Sequence, residues 1–206
     1  MTSVLITAFE PYDRWEENSS WLALVELTRS LPGQPKVVTR RYPVDFELVQ
    51  ARLSDDLAAN FDFVLHVGQA PGISRVHLEA IGINVGGHSS QTPDEFRPLA
   101  PGGPPAYRSR LPLAEWSQSI RAAGIPCQVS YHAGTYLCNA VLYLTHHLAA
   151  TRGYKTQAAF IHLPLAPEQV LSERQDWPSL PPAMAADAIR YILDNLGSSA
   201  SETSMA

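Results

Sequence analysis

The chain is poor in cysteine, in basic residues and in long apolar runs, and each scarcity excludes a class of protein. Its two cysteines, Cys127 and Cys138, are too few for a secreted disulfide scaffold and lack the Cys-x-x-Cys spacing of metal or redox sites. Fifteen Lys and Arg against twenty Asp and Glu give a net charge of -5, which disfavours nucleic acid as a partner. The longest apolar runs, such as Val4–Phe9, are far shorter than the roughly 20 residues that cross a bilayer, so we expect no membrane span.

The remaining composition is that of an ordinary globular domain. Hydrophobic residues make up 45% and charged residues 17% of the 206 residues, which argues against a disordered or fibrous chain. This length fits one domain, so we predict a single domain over residues 1–197 and a flexible, Ser-rich tail over residues 198–206. Met1 leads directly into a strand-like Val-Leu-Ile without a basic segment or a cleavage site, so we expect a cytoplasmic protein.

Strand-like and helix-like segments alternate along the chain. Buried strands are predicted at residues 4–8, 36–42 and 61–67, with helices at residues 21–30, capped by Ser19 or Ser20, and 45–60 between them. The later segments are a strand-like run at 75–85, a Gly- and Pro-rich loop at 86–105, helices at 113–123, 138–150 and 182–196, and strands at 128–131 and 158–163. The alternation predicts an α/β fold, a three-layer α/β/α sandwich on a mostly parallel twisted central sheet, to which a hairpin can add antiparallel strands.

Three side chains are candidates for nucleophilic catalysis. Cys138 follows a Gly-containing turn and opens a predicted helix, whose free N–H groups and partial positive charge stabilise a thiolate. His162 lies at the end of a predicted strand, where α/β sheets place ligands, and Glu79 lies among apolar residues, where a carboxylate needs a partner. Nucleophile, base and orienting acid are the parts that acyl transfer requires. The alternative is that each residue is structural: a buried helix cysteine, a strand-end histidine and a paired surface acid.

The segments around these residues, in the same order, resemble the pyroglutamyl peptidase I family, also called pyrrolidone carboxyl peptidase. The resemblance covers roughly residues 3 to 196 and is most specific in the Cys and His motifs. The matching segments are Leu5-Ile6-Thr7-Ala8-Phe9-Glu10-Pro11-Tyr12, Asn18-Ser19-Ser20, Gly68-Gln69-Ala70, Leu78-Glu79, Ala133-Gly134-Thr135-Tyr136-Leu137-Cys138-Asn139, Ile161-His162-Leu163-Pro164 and Pro167-Glu168-Gln169.

This resemblance implies a cysteine peptidase that removes an N-terminal pyroglutamyl residue from peptides, with no metal and no organic cofactor. It implies a catalytic triad of Cys138, His162 and Glu79. It also implies two kinds of contact with the flat lactam ring: aromatic walls from Phe9, Tyr12 and Tyr136, and polar contacts from Asn18 and Gln69. The family often forms tetramers, so a homotetramer or a homodimer is the assembly that the resemblance suggests, whereas the sequence itself leaves the oligomeric state open.

Several positions depart from the family pattern. Ala8, Tyr12 and Ser19 stand where the family usually has Gly, Phe and Pro, and Ala80 and Ser89 stand where many bacterial members have Arg. Nearby cationic candidates to replace that Arg charge are His88 and Arg97. The departures keep two other hypotheses open: a divergent cysteine amidase or peptidase that acts on a different small N-acyl group, and a binding relative without turnover.

Overall fold

The computed structural model describes residues 2–88 and 90–196, so Ser89 and the predicted tail at 198–206 lie outside the described residues. The strands are β1 (Ser3–Phe9), β2 (Lys36–Tyr42), β3 (Phe63–Gln69), β4 (Val76–Glu79), β5 (Ile81–Ile83), β6 (Ala106–Arg108), β7 (Cys127–Ser130) and β8 (Gln157–Leu163). The helices are α1 (Ser19–Thr28), α2 (Phe46–Leu57), α3 (Leu113–Ala122), α4 (Leu137–Arg152), α5 (Pro167–Val170) and α6 (Pro182–Asn195), with a 3-10 turn at Pro93–Glu95.

A six-stranded sheet in the order β2-β1-β3-β8-β4-β7 forms the middle layer. Four of its five strand pairings are parallel, and the pairing of β4 with β8 is antiparallel. None of the helices in the described ranges is long and apolar enough to cross a membrane. The predicted mostly parallel sheet is thus confirmed, with β4 and β7 running against the other four strands.

Alternation along the buried strands sends side chains into two separate cores. In β1, Val4 and Ile6 enter the core that contains Leu24 and Ile189 of helices α1 and α6, whereas Leu5 enters the core of α2 and α4. Successive strand residues point to opposite faces, so a strand covered by helices on both sides is apolar throughout. With α1, α3 and α6 on one face and α2 and α4 on the other, the predicted three-layer sandwich is confirmed.

The predicted strand-like run at residues 75–85 is in fact two strands in different sheets. β4 ends at Glu79, and β5 leaves the main sheet to pair antiparallel with β6. The side-chain amide of Asn139 in α4 explains this departure: its Oδ1 accepts a hydrogen bond from the Ile83 N–H at 2.8 Å, and its Nδ2 donates to the carbonyls of Ile83 and Val85 at 2.9 and 2.8 Å. β5 is therefore bound to the start of α4 rather than to a sheet neighbour.

The predicted N-cap of the first helix is also wrong. Helix α1 begins at Ser19, and its N-cap is Asn18, whose Oδ1 accepts hydrogen bonds from the Ser20 N–H at 3.0 Å and the Ser20 hydroxyl at 2.7 Å. Asn, like Ser, accepts well from the first-turn N–H groups, so sequence preference alone does not decide among three adjacent capping residues.

We expect the Asn139→Ala substitution to destabilise the protein by about 2 to 4 kcal/mol, because it leaves one backbone N–H and two carbonyls of the β5 segment without their partner. Urea unfolding followed by circular dichroism measures this change. Gln118→Ala, which removes an exposed amide from α3, is the matched control and should change the free energy of unfolding by less than about 0.5 kcal/mol. Equal stability of the two variants would contradict this role of Asn139.

Candidate active site

A cleft of about 780 Å³ lies at the carboxyl ends of β1, β3 and β8, beside the start of α4. This is the edge at which open α/β sheets place ligands. All eight residues that the sequence nominated contribute to its wall: Phe9, Tyr12, Asn18, Gln69, Glu79, Tyr136, Cys138 and His162. The fold thus brings together side chains that are more than 150 residues apart in the chain.

Cys138 is the second residue of α4, after a turn in which Gly134 has a φ of 79°. Backbone N–H groups in the first turn of a helix have no carbonyl partner within the helix, so they remain available to stabilise an anion at this end. The thiol is half-buried and belongs to the cleft, whereas Cys127, the first residue of β7, is buried in the core. Of the two thiols, Cys138 is therefore the one placed for chemistry.

Glu79 and His162 form a buried hydrogen-bonded pair across the antiparallel β4–β8 pairing. His162 Nδ1 lies 2.8 Å from Glu79 Oε1, and the two side chains are 10% and 1% exposed. In the strand register His162 faces His77, and Glu79 faces Phe160, so the pair is diagonal and joins side chains on one face of the sheet. The register of the β4–β8 pairing thus brings Glu79, the last residue of β4, beside His162.

The imidazole of His162 also interacts with Cys138, so that carboxylate, imidazole and sulfur lie together in the cleft. Burial lowers the pKa of His162, but the charge and hydrogen bond of Cys138, followed by those of Glu79, raise it to a net value of about 9. Because this pKa lies above the ordinary 6.5, the stability that the charged pair contributes is complete below pH 6.5 and is lost as the pH rises through about 9. Below about 9, imidazolium is the favoured form beside the sulfur.

Gly68 of β3 makes the approach of sulfur and imidazole to the sheet possible. A Cβ atom at this position would lie 2.5 Å from Cζ of Phe160 and 3.1 Å from Sγ of Cys138. The Phe160 ring in turn lies against the His162 ring, with 4.6 Å between their centroids. A side chain at position 68 would therefore displace Cys138 or the Phe160 ring that packs against His162.

Aromatic and polar side chains form the part of the wall next to Cys138. Phe9 is buried at the end of β1 and contacts Phe160, and Tyr136 contacts Phe46 edge-on with ring centroids 5.2 Å apart. Burial, and after it the charge of Cys138, raises the pKa of Tyr12, so its phenol stays protonated. This hydroxyl donates to the Gln69 backbone carbonyl over 3.4 Å. The result is a mainly apolar recess with a few fixed polar groups, the form that small-ligand sites usually take.

The polar side chains of Asn18 and Gln69 are held by their own loops. Asn18 Nδ2 donates to the Glu10 carbonyl at 3.0 Å, while its Oδ1 caps α1. Gln69 Oε1 accepts from the Ser19 N–H and from Gln169 Nε2, both at 2.8 Å. These bonds fix the orientation of the two amides before any ligand binds.

Two histidines of the cleft wall escaped the sequence reasoning: His77 and His132. His77 Nδ1 lies 4.0 Å from Glu79 Oε1, and its position two residues before Glu79, on the same face of a strand, was the signal that could have identified it.

Of the two cationic candidates, His88 lines the cleft and contacts Tyr136, whereas Arg97 is exposed and donates to carbonyls of its own loop, Asp94 and Phe96. Arg97 therefore does not replace the family Arg charge in this cleft.

Known proteins share both the sequence and the fold. The family model described as pyroglutamyl peptidase matches residues 2–196. The pyrrolidone-carboxylate peptidase of Streptomyces coelicolor is 38% identical over 200 residues, which cover 94% of this chain and 91% of that protein. The one from Pyrococcus furiosus is 34% identical over 201 residues, covering 93% and 96%. The crystal structure of pyrrolidone carboxyl peptidase from Fervidobacterium islandicum superposes with a TM-score of 0.91 at 31% identity and covers 96% of this chain and 99% of that one.

A buried carboxylate–imidazole pair beside a half-buried thiol, at the carboxyl edge of an α/β sheet, is the arrangement of a cysteine hydrolase. The chain belongs to the pyroglutamyl peptidase family, because the family model matches nearly the whole chain.

We expect the Glu79→Gln substitution to lower the pKa of His162 from about 9 toward its ordinary 6.5, because it removes the negative charge bonded to Nδ1. Titration of the His162 ring by NMR, in the wild type and in this variant, measures the change. Glu115→Gln removes an exposed carboxylate on α3 and should leave the His162 titration unchanged. A pKa for His162 that is the same in all three proteins would show that Glu79 does not govern its charge.

Proposed function

We propose that this protein hydrolyses the amide bond after an N-terminal pyroglutamyl residue of a peptide, through a thioester on Cys138. The observation that carries the proposal is the hydrogen-bonded pair of Glu79 and His162, together with Cys138, at the wall of a recess lined by Phe9 and Tyr12. The family membership supports the substrate, since relatives from bacteria and archaea are named pyrrolidone-carboxylate peptidase.

In the first half of the reaction, the Cys138 thiolate attacks the carbonyl carbon of the pyroglutamyl residue. The electron pair of the C=O bond moves to its oxygen, next to the free N–H groups at the start of α4. Imidazolium, the favoured form of His162 below about pH 9, then gives a proton to the leaving nitrogen. The C–N bond breaks, the shortened peptide leaves with a free amine, and the pyroglutamyl group remains on sulfur as a thioester.

In the second half, neutral His162 takes a proton from water while the water oxygen attacks the thioester carbonyl. The C–S bond breaks, free pyroglutamate leaves, and the thiolate and imidazolium are restored. Glu79 acts through His162 in both halves. It holds the Nδ1–H of the ring, which keeps the other nitrogen directed at sulfur and stabilises the charged form.

A pyroglutamyl ring suits this recess because it is flat, small and carries one N–H donor and one C=O acceptor. Phe9, Tyr12 and Tyr136 supply apolar area for its faces, and Asn18 and Gln69 supply polar groups for its edge. This chain has Tyr12 where the family usually has Phe. The added hydroxyl already donates a hydrogen bond to the Gln69 backbone carbonyl. A ring N–H that uses the same acceptor must share it with this hydroxyl.

Peptides are thus the proposed partners, and the cytoplasm is the proposed location. A homotetramer or a homodimer remains our proposal for the assembly, from the resemblance alone.

We expect Cys138→Ala to lower the turnover of a chromogenic pyroglutamyl amide by roughly a thousandfold or more, because it removes the nucleophile. Release of the chromophore, measured in the presence of a reductant, tests this. Cys127→Ala is the matched control, since it removes the other thiol, which is buried in the core, and should retain turnover. Loss of turnover in Cys127→Ala alone, or persistence in Cys138→Ala, would overturn the assignment of the nucleophile.

A further inference from the structure

Strand β4 presents two ionisable side chains to the cleft, and the proposed reaction uses only one of them. The two apolar residues of β4 enter the core that contains α3, so alternation places His77 and Glu79 together on the opposite face. In the register of the sheet, His77 lies opposite His162 of β8 on one side and opposite Gln128 of β7 on the other. A second imidazole is thus built into the sheet beside the Glu79–His162 pair.

The two ring nitrogens of His77 face different partners. Its Nδ1 lies 4.0 Å from Glu79 Oε1, the same oxygen that is bonded to His162. Its Nε2 lies 2.8 Å from the side-chain nitrogen of Gln128. Only 18% of the His77 side chain is exposed, so the ring is held between these two groups with Nδ1 toward the carboxylate.

The neighbours of His77 also determine which ring nitrogen carries the hydrogen. An ionised carboxylate only accepts hydrogen bonds, so the nitrogen that carries the hydrogen is Nδ1, next to Glu79. The NH2 group of Gln128 then donates to Nε2. Burial lowers the pKa of His77 below the ordinary 6.5 despite the nearby charge of Glu79, and the charges of His162 and Arg75 act in the same direction as burial. The ring is therefore neutral at neutral pH and directs its N–H dipole at Glu79.

The Glu79 carboxylate benefits from this dipole because it has few partners of its own. The side chain is 1% exposed, and its Oε2 has no hydrogen-bond partner within the part of the chain that the structure describes. A buried carboxylate that lacks partners tends to take the proton from a bonded imidazolium, since the neutral pair avoids an uncompensated buried charge. A dipole that favours the ionised carboxylate opposes this transfer and keeps the proton on His162.

We propose that His77 is a positioning residue for the reaction: it holds the Glu79 carboxylate ionised and in place, so that the proton stays on His162 beside Cys138. The inference rests on the proposed function for the identity of the reaction. At 4.0 Å the contact is longer than a hydrogen bond, so His77 acts by electrostatic attraction and by occupying the space beside the carboxylate. Its expected effect is accordingly smaller than that of Glu79 itself.

Two amide substitutions separate this role from simple packing, because each replaces one ring nitrogen of His77. In His77→Asn the amide lies near the place of Nδ1, next to Glu79, whereas in His77→Gln it lies near the place of Nε2, next to Gln128. Gln is closer to His in size, so a packing role predicts that Gln is tolerated better than Asn. The positioning role predicts the opposite order. His77→Leu removes both contacts.

Alkylation of Cys138 by iodoacetamide, followed on the Cys138 peptide by mass spectrometry, reports the thiolate that imidazolium stabilises and requires no turnover. The rate at about pH 6, divided by the rate at about pH 10, where thiols ionise without help, corrects for differences in access. We expect His77→Gln and His77→Leu to lower this ratio by about tenfold, and His77→Asn by no more than about twofold. His147→Leu removes a histidine of α4 that does not line the cleft, and as the matched control it should keep the wild-type ratio.

Equal ratios in the wild type and all His77 variants would overturn the inference, as would an Asn variant that does no better than the Gln variant. If His77→Leu fails to fold, the comparison of Asn with Gln decides. Turnover of a pyroglutamyl amide is measured on the same samples, and kcat should fall in parallel with the ratio while KM stays within about twofold.

The two measurements separate the two proposals. The expected alkylation ratios without turnover in any of the proteins would refute the proposed function and leave the role of His77 standing. Turnover with ratios and kcat values that do not respond to His77 would refute the role of His77 alone.

Discussion

The hydrogen bond between Glu79 and His162 is the interaction on which the active site depends. It is buried, charge-assisted and 2.8 Å long, and it joins the last residue of β4 to the end of the central strand β8. Breaking one partner of such a buried pair is costly because the remaining charge has no compensation, so the β4–β8 register and the chemistry of the cleft are coupled.

Two kinds of contact arrange the rest of the site around that bond: close packing at Gly68 and hydrogen bonds of side-chain amides. Gly68 leaves room for the Phe160 ring and the Cys138 sulfur beside β3, and Asn139, the residue after Cys138, binds β5 to the start of α4. The recess proposed for the ring is held by other hydrogen bonds, those that Gln69 accepts from Ser19 and Gln169. Chemistry and recognition thus rest on different contacts, although β3 and β8 contribute to both. A fixed array of donors suits catalysis, since it needs no reorganisation when charge develops.

The sequence predicted the layers of the fold and the members of the site for different reasons. Continuous apolar strands such as β3 and the helical periodicity of α2 define a covered parallel sheet on physical grounds alone. Cys138, His162 and Glu79, in contrast, were only candidates until the ordered motifs singled them out, because no periodicity shows that residues 24 and 59 positions apart meet. Their placement in one cleft agrees with the assigned roles, which activity measurements must test.

What the sequence missed depends on long-range contacts. The break between β4 and β5 is set by Asn139, more than 50 residues later, so local strand propensity read both as one run. The cap of α1 was chosen among three adjacent polar residues by tertiary structure. His77 was overlooked because a histidine inside an apolar strand looks like core, although the alternation of β4 places it on the same face as Glu79.

The most direct test of the account is to find where the acyl group resides during turnover. The enzyme is mixed with a pyroglutamyl ester and quenched in acid within the first turnover. It is then digested, and the masses of the peptides are measured by mass spectrometry. The account predicts a pyroglutamyl thioester on the peptide that contains Cys138, and on no other. Product formation with an adduct on Cys127, or with no adduct on either thiol under conditions that trap thioesters, would contradict it.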